Sequence, residues 1–402
     1  MPNNNAMNSR RNFLMQMSGA ALASGAAPPL LSLFLSRAAS AQNGPIAVPG
    51  EDGMIVRSYR FVDLETPVEY FNTWLTPVPH FFVRNHMHEP SELSANPGNS
   101  DWRLSVGGEV DKPITLTFPE LSKFETHSVV NTLECAGNGR SLQRPQVPGV
   151  QWGKGAVSTA RFSGPRLRDV LQRAGIKPTG KHVMFRGLDE VPGKVPPFIR
   201  SIPIEKALDS DTLVAMQMNG APLTKHHGFP ARALVPGWIG AASCKWLTEI
   251  KILESEFVGN FMSPGYRFPN QPVKPGDAVK PEDTHPLTAL NVKSVISGPI
   301  DGAKLKPGKV AVRGAAWAGE ADIVKVEVST DGGTSWNPAA FGHDQAHYAW
   351  RLWTYDFKTK GGDYTILSRA TDSLGRTQPS TPVWNPSGYL YNAADQVKIH
   401  VA

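Results

Sequence analysis

The sequence predicts an α+β chain in two domains, a mixed strand-and-helix region followed by an immunoglobulin-like β-sandwich. Three observations predict it. The chain has 402 residues, more than one hydrophobic core usually organises. Its last third alternates apolar and polar residues in short runs separated by turns, the period of half-buried strands. Between the two regions the proline-bearing segment Asn270–Pro286 shows no periodicity and reads as a linker. With an N-terminal export segment added, the boundaries fall at 1–41, 42–285 and 286–402.

Residues 1–41 carry address information. Ser9-Arg10-Arg11-Asn12-Phe13-Leu14 is a twin-arginine pattern, followed by the weakly apolar Met15–Leu35 and the small-residue site Ala39-Ser40-Ala41. The expectation is export by the twin-arginine route to the periplasm, already folded. Gly19, Gly25, Pro28 and Pro29 interrupt the apolar stretch, so no membrane span is expected in the mature chain.

Gly44–Asp101 is rich in Pro, Asn and Asp and reads as extended segments and loops. From Trp102 short strands begin, at Leu104–Gly108 and Ile114–Phe118, before a helix-like Pro119–Phe124. The β-branched run Val129–Leu133 ends at Glu134-Cys135, so the cysteine sits where a strand gives way to the turn Ala136-Gly137-Asn138-Gly139. A helix is predicted over Pro165–Ala174, because Leu167, Val170, Leu171 and Ala174 form one stripe and Gly175 stops it. Strands follow at Val183–Phe185 and Ala231–Val235. In the sandwich region they are predicted at Val310–Gly314, Ile323–Val328, Ala349–Phe357 and Tyr364–Thr371, with turns such as Asp331-Gly332-Gly333 between them.

The formal net charge of +6 is modest, and no basic run carries interleaved aromatics, so nucleic acid is not an expected partner. There are two cysteines, Cys135 and Cys244. An exported protein can pair them, although folding before export weakens that reading. No C-x-x-C-H motif occurs, and no haem is expected in this chain.

Four segments carry chemistry. Phe81-Phe82-Val83-Arg84-Asn85-His86 sets a fixed cation, an amide and an imidazole beside aromatic bulk, an anion-binding corner on an apolar support. Leu133-Glu134-Cys135-Ala136-Gly137-Asn138-Gly139-Arg140 places a thiol among turn glycines with an arginine five residues on. A soft thiolate favours a transition metal, whereas a lone cysteine is more often a buried structural one. His226-His227-Gly228-Phe229-Pro230-Ala231-Arg232, continuing to Ser243-Cys244-Lys245-Trp246, gathers His, Arg and Lys around glycine-rich turns, a set suited to phosphate. Gly187-Leu188-Asp189 delivers one acid at a strand end. Jointly the four fit an anionic, heterocyclic cofactor carrying a soft metal.

Phe-Val-Arg-Asn-His, Cys-Ala-Gly-Asn followed by Arg, Trp-Gly-x-Gly-Ala, Gly-Leu-Asp, His-Gly-Phe-Pro-x-Arg and Lys-Trp-Leu occur here in the order found in sulfite oxidases. On these motifs the chain resembles that family, and in particular its bacterial, haem-free periplasmic sulfite dehydrogenases. The resemblance implies a mixed α/β molybdopterin-binding domain followed by a dimerisation sandwich, a homodimer, and oxidation of sulfite to sulfate with electrons passed to a c-type cytochrome. It implies Cys135 as the protein ligand to molybdenum. It further implies Phe82, Val83, Arg84, Asn85, His86, Asp189, His227, Arg232, Ser243, Cys244 and Lys245 as holders of the molybdopterin. Arg84, Arg140, Trp152 and Tyr266 are implied at the substrate pocket. Two features depart from the family pattern: Ser387 stands in Trp384-Asn385-Pro386-Ser387-Gly388 where animal and plant members place arginine, and Gly139 stands where many relatives carry arginine. Sulfane dehydrogenases and methionine sulfoxide reductase catalytic subunits are the alternative activities.

Overall fold

The predicted alternation closes into paired sheets in a computed structural model that describes residues 53–91, 93 and 101–402. The twin-arginine segment lies outside the described residues. In the first domain a five-stranded sheet runs in the order Ile114–Thr117, Arg103–Gly108, Leu247–Leu253, His182–Gly187, Ile199–Pro203. Arg103–Gly108 and Leu247–Leu253 are parallel and the remaining pairs antiparallel, so the sheet is mixed. A second sheet is built on Thr126–Glu134, paired with Val157–Pro165 along its whole length from Thr126↔Pro165 to Glu134↔Val157. Val157–Pro165 is buried on both faces apart from Arg161, and therefore shows no alternation by which the sequence would have revealed it.

The helix Leu167–Ala174 buries the predicted stripe of Leu167, Val170, Leu171 and Ala174 and stops at Gly175. It starts later than predicted because Pro165 closes the preceding strand, where its missing N–H is harmless. The short helix Phe118–Leu121 starts one residue early, since Thr117 and Glu120 close a capping box around its first turn. The segment predicted as pure linker contains a strand, Thr284–Pro286, paired antiparallel with Arg267–Pro269.

The second domain is a sandwich of two sheets. One has the order Lys293–Gly298, Gly308–Trp317, Arg351–Thr359, Ala340–Phe341; the other runs Ala303–Leu305, Asp395–Val401, Gly362–Asp372, Ile323–Ser329, Asn337–Pro338. Val312, Val326, Trp353, Ile366, Val397 and Ile399 fill the space between them. The α+β class and the order of domains are as predicted.

The sandwich packs onto the strand that carries the cysteine. Val295, Ala315, Trp317 and Trp350 join the same buried cluster as Phe71, Leu104 and Leu247 of the first domain. Thr132 N donates to Tyr348 O at 2.8 Å, and Trp350 N donates to Thr132 Oγ1 at 2.8 Å. The backbone three residues before Cys135 is thereby tied to the second domain. Among the described residues no helix is long and apolar enough to cross a membrane.

Candidate active site

The strand Thr126–Glu134 ends at Cys135, whose N–H donates to Ala156 O at 2.9 Å while its carbonyl accepts Asn138 N at 2.8 Å. The chain then doubles back. Arg140 N bonds Gly137 O at 3.0 Å, and a side chain on Gly137 would meet the Arg140 guanidinium at 2.6 Å, so only glycine lets this arginine fold over the turn. Cys135 faces a cavity lined by aromatic, basic and polar side chains, the mixture found in cofactor sites. Both cysteines are free and buried, so they do not form the disulfide that export would permit.

One wall comes from residues 82–86. Leu64 and Val83 exchange both backbone hydrogen bonds at 2.9 Å, which holds the chain extended at this point, so the Val83 side chain points away from those of Phe82 and Arg84. Phe82 and Arg84 face the cavity, whereas Val83 turns away into a small core with Met54 and Leu64. Val83, implied with the rest of this run as a holder of the molybdopterin, is the member whose side chain does not line the cavity. Asp63 Oδ1 accepts Arg84 Nη1 at 3.2 Å and Asn85 N at 3.1 Å. Burial alone would lower the Arg84 pKa, but the Asp63 carboxylate holds its guanidinium above the ordinary value. Arg84 is therefore a fixed cation.

The opposite wall is the basic cradle. Arg232 donates from Nη1 to His227 O at 3.0 Å and from Nη2 to Ser243 O at 2.9 Å, while its buried Nε has no partner among the described residues. Burial lowers its pKa to about 10. Lys245 Nζ donates to His226 O at 2.8 Å and to Asn85 Oδ1, joining the two walls. Gly228, at φ +100°, lies against the Lys245 side chain; an added Cβ would sit 3.0 Å from Lys245 Cβ. Burial pushes Lys245 down and Asp189 up, and it pulls the His227 imidazole to about 3. Cys244 lines the cavity with its thiol pushed up to about 12 by burial.

At the remaining side His86 stacks on Phe198 at 4.3 Å between ring centres, and its Nε2 meets the Tyr266 hydroxyl. Burial, then the charges of Arg84, Lys245, Arg200 and Arg140, keep His86 well below the usual imidazole range.

Of the predicted residues, Phe82, Arg84, Asn85, His86, Cys135, Asp189, His227, Arg232, Ser243, Cys244, Lys245 and Tyr266 converge on this one cavity. Arg140 and Trp152 do not line it. Arg140 is buried beside the Cys135 turn, and Trp152 packs in the cluster that contains Cys135, with no partner for its indole N–H among the described residues. Sequence reasoning missed Asp63, Glu89 and Phe198. Glu89 Oε1 accepts both Asn85 Nδ2 at 2.8 Å and the His226 ring at 2.7 Å, a pairing across 137 positions that no local signal reveals.

The donor set fits a bound molybdopterin. Arginine, lysine and histidine in a buried cradle, one of them with an orphaned N–H, suit a phosphate; Phe82 and Phe198 suit a flat heterocycle; and the Cys135 thiol offers a soft ligand in the same cavity. Fold and cavity together define a protein built to enclose a large anionic cofactor, with the Cys135 thiol facing it.

Comparison with known proteins gives that class its family. Residues 88–261 match the oxidoreductase molybdopterin binding domain, and residues 284–402 match the Mo-co oxidoreductase dimerisation domain. The chain is 38% identical to the sulfite oxidase of Gallus gallus over 86% of this chain and 77% of that protein. It is 35% identical to the mitochondrial sulfite oxidase of Rattus norvegicus, covering 89% of this chain and 67% of that one. Among solved structures, the sulfane dehydrogenase SoxCD of Paracoccus pantotrophus superposes with a TM-score of 0.74 at 26% identity, over 94% of this chain and 91% of that chain. The chain belongs to the sulfite oxidase family of molybdopterin enzymes, and its cofactor is molybdenum–molybdopterin.

Proposed function

We propose that this protein is a sulfite dehydrogenase, oxidising sulfite to sulfate and handing the electrons to an external c-type cytochrome. The observation that carries the reading is the meeting of Cys135 with fixed positive charge: Arg84 lines the same cavity, and Arg140 folds over the Cys135 turn. Identities of 35–38% to sulfite oxidases over most of the chain, against 26% to the sulfane dehydrogenase, support sulfite as substrate.

Sulfite is a small dianion near neutral pH, and guanidinium groups attract it without ever losing their charge. When bound, the molybdenum cofactor supplies the two-electron redox step by which sulfite and water become sulfate, two protons and two electrons. The chain does the rest. Cys135 would hold the metal from the strand end, Arg84 and Arg140 would draw the anion in, and Tyr266 with His86 would offer a hydrogen-bonding edge. The basic and polar side chains of His227, Arg232, Ser243 and Lys245 would hold the pterin phosphate, and Asp189 would accept a hydrogen bond from the pterin.

The twin-arginine pattern supports export of the loaded enzyme to the periplasm, where c-type cytochromes are available, and the dimerisation domain supports a homodimer. The test is a steady-state assay of the purified enzyme with metal analysis, offering sulfite, protein-bound sulfane sulfur and methionine sulfoxide, with ferricyanide or a c-type cytochrome as acceptor for the two oxidations and a viologen donor for the sulfoxide. Molybdenum at one per chain with sulfite as the preferred substrate supports the reading. Preference for sulfane sulfur or for the sulfoxide overturns it.

A further inference from the structure

Beside the cavity, two tyrosines and two arginines form a chain of contacts. The Arg200 guanidinium lies 5.0 Å from the Tyr266 ring centre, the Tyr266 and Tyr389 rings stack at 5.4 Å with 12° between planes, and the Arg140 guanidinium lies 5.4 Å from the Tyr389 ring centre. Three of the four belong to the first domain. Tyr389 comes from the sandwich, on a loop strapped to the cysteine turn: Leu390 N donates to Ala136 O at 2.8 Å, and Asn385 clamps Tyr389 through both its backbone N–H and its carbonyl at 2.9 Å.

The same loop fixes Arg140. Its Nε donates to Ser387 O at 2.8 Å and its Nη1 to Val150 O at 2.9 Å, so two of its five N–H groups are committed to backbone and its plane is set. Gly388 brings the strap close, since an added Cβ would sit 2.9 Å from Arg140 Cγ.

We infer that Tyr389, supplied by the sandwich domain, is a positioning residue for anion binding beside Cys135, because its ring is the shared support of the Tyr266 phenol and the Arg140 guanidinium. This rests on the proposed function in one respect, that Tyr266 faces an anionic substrate and the Arg140 charge attracts it. The ring matters through its face: stacking on Tyr266 and a cation–π contact with Arg140 are both lost with an aliphatic side chain, while both survive loss of the hydroxyl.

The experiment compares wild-type holoenzyme with Tyr389→Leu and Tyr389→Phe, each checked for molybdenum content. Sulfite KM and kcat are measured, and sulfate affinity is read separately from the rise in melting temperature with sulfate concentration. Tyr389→Leu is expected to raise KM and weaken sulfate binding about tenfold, with kcat within about twofold of wild type. Tyr389→Phe restores both constants. A Tyr389→Leu enzyme with wild-type KM and sulfate affinity overturns the inference, as does a Tyr389→Phe enzyme impaired as badly as the leucine variant. Should Tyr389→Leu lose its metal, Tyr389→Met preserves bulk without an aromatic face and is held to the same outcomes. If wild-type enzyme does not oxidise sulfite, the functional reading fails alone and the sulfate titration still decides the role of Tyr389; absence of sulfate binding by wild type overturns that role too.

Discussion

The Glu134 carboxylate accepts the Lys293 ammonium at 2.9 Å with both side chains buried. Glu134 immediately precedes Cys135, and Lys293 opens the first strand of the sandwich. The same carboxylate accepts Asn138 Nδ2 at 2.9 Å and Trp317 Nε1 at 2.8 Å, so one acid gathers the cysteine turn and two sandwich strands. Breaking such a pair by removing one partner leaves an uncompensated buried charge, which typically costs about 3–5 kcal/mol. Lys293→Met is therefore expected to destabilise the protein by about that amount. Adding Glu134→Gln to it recovers a substantial part, because the stranded charge is gone. Denaturant unfolding of the two single variants and the double variant measures the coupling, and additive losses would remove the pair from the account.

Cys135→Ser replaces a soft sulfur ligand by a hard hydroxyl at the metal-facing position. Turnover of sulfite is expected to vanish. The fold should persist, with a stability change of about 1 kcal/mol, since the substitution is nearly isosteric. Activity and denaturant midpoint are measured on one preparation. A serine variant that retains near-native sulfite:cytochrome activity would take the thiolate out of the mechanism.

Arg140→Ala deletes a cation that touches the Cys135 turn without lining the cavity. Its attraction acts on the anion in ground and transition state alike, so the expected change is a KM higher by about tenfold or more with kcat little altered. A loss confined to kcat would contradict uniform anion binding. Raising the ionic strength should blunt the difference in part, as it screens the long-range share of the attraction.

Much of this site was legible because its parts are local. Phe82 to His86, the Cys135–Arg140 turn and the His227 to Lys245 cradle each occupy one short stretch whose residue types announce an anion or a soft metal. What local reading lacked was direction and partnership. Val83 points away because a two-residue backbone exchange with Leu64 fixes the alternation. Asp63, which anchors Arg84, precedes it by 21 positions in a loop-like region with no motif. Tyr389 and Lys293 reach the cysteine from the other domain, and their sequence surroundings mark only a sandwich loop and a strand start. The same holds for the fold: alternating strands of the sandwich were visible, whereas Val157–Pro165, buried on both faces, gave no period to read.

The turn Asp331-Gly332-Gly333 was legible as a turn, and the structure shows what the aspartate does there. Asp331 Oδ1 accepts Thr334 N at 3.0 Å, and both carboxylate oxygens accept Ser335 N, at 3.0 and 3.1 Å. Ser335 Oγ and Ser329 Oγ add further donors at 2.6 and 2.7 Å. The hydrogen bonds from Ser335, side chain first and then backbone, hold the Asp331 carboxyl well below its ordinary value of 3.8. A carboxyl depressed in the folded state binds its proton less readily than the same group unfolded, so its stabilising effect is complete above the unfolded value and is lost as pH falls through the folded one. Asp331→Ala is thus expected to melt below wild type at pH 7, with the gap unchanged down to about pH 5 and closing progressively as the pH drops below 3.8. Thermal melts of the pair across that range measure it, and a gap that stays constant into strong acid would show that the turn is held by its glycines and not by the carboxylate.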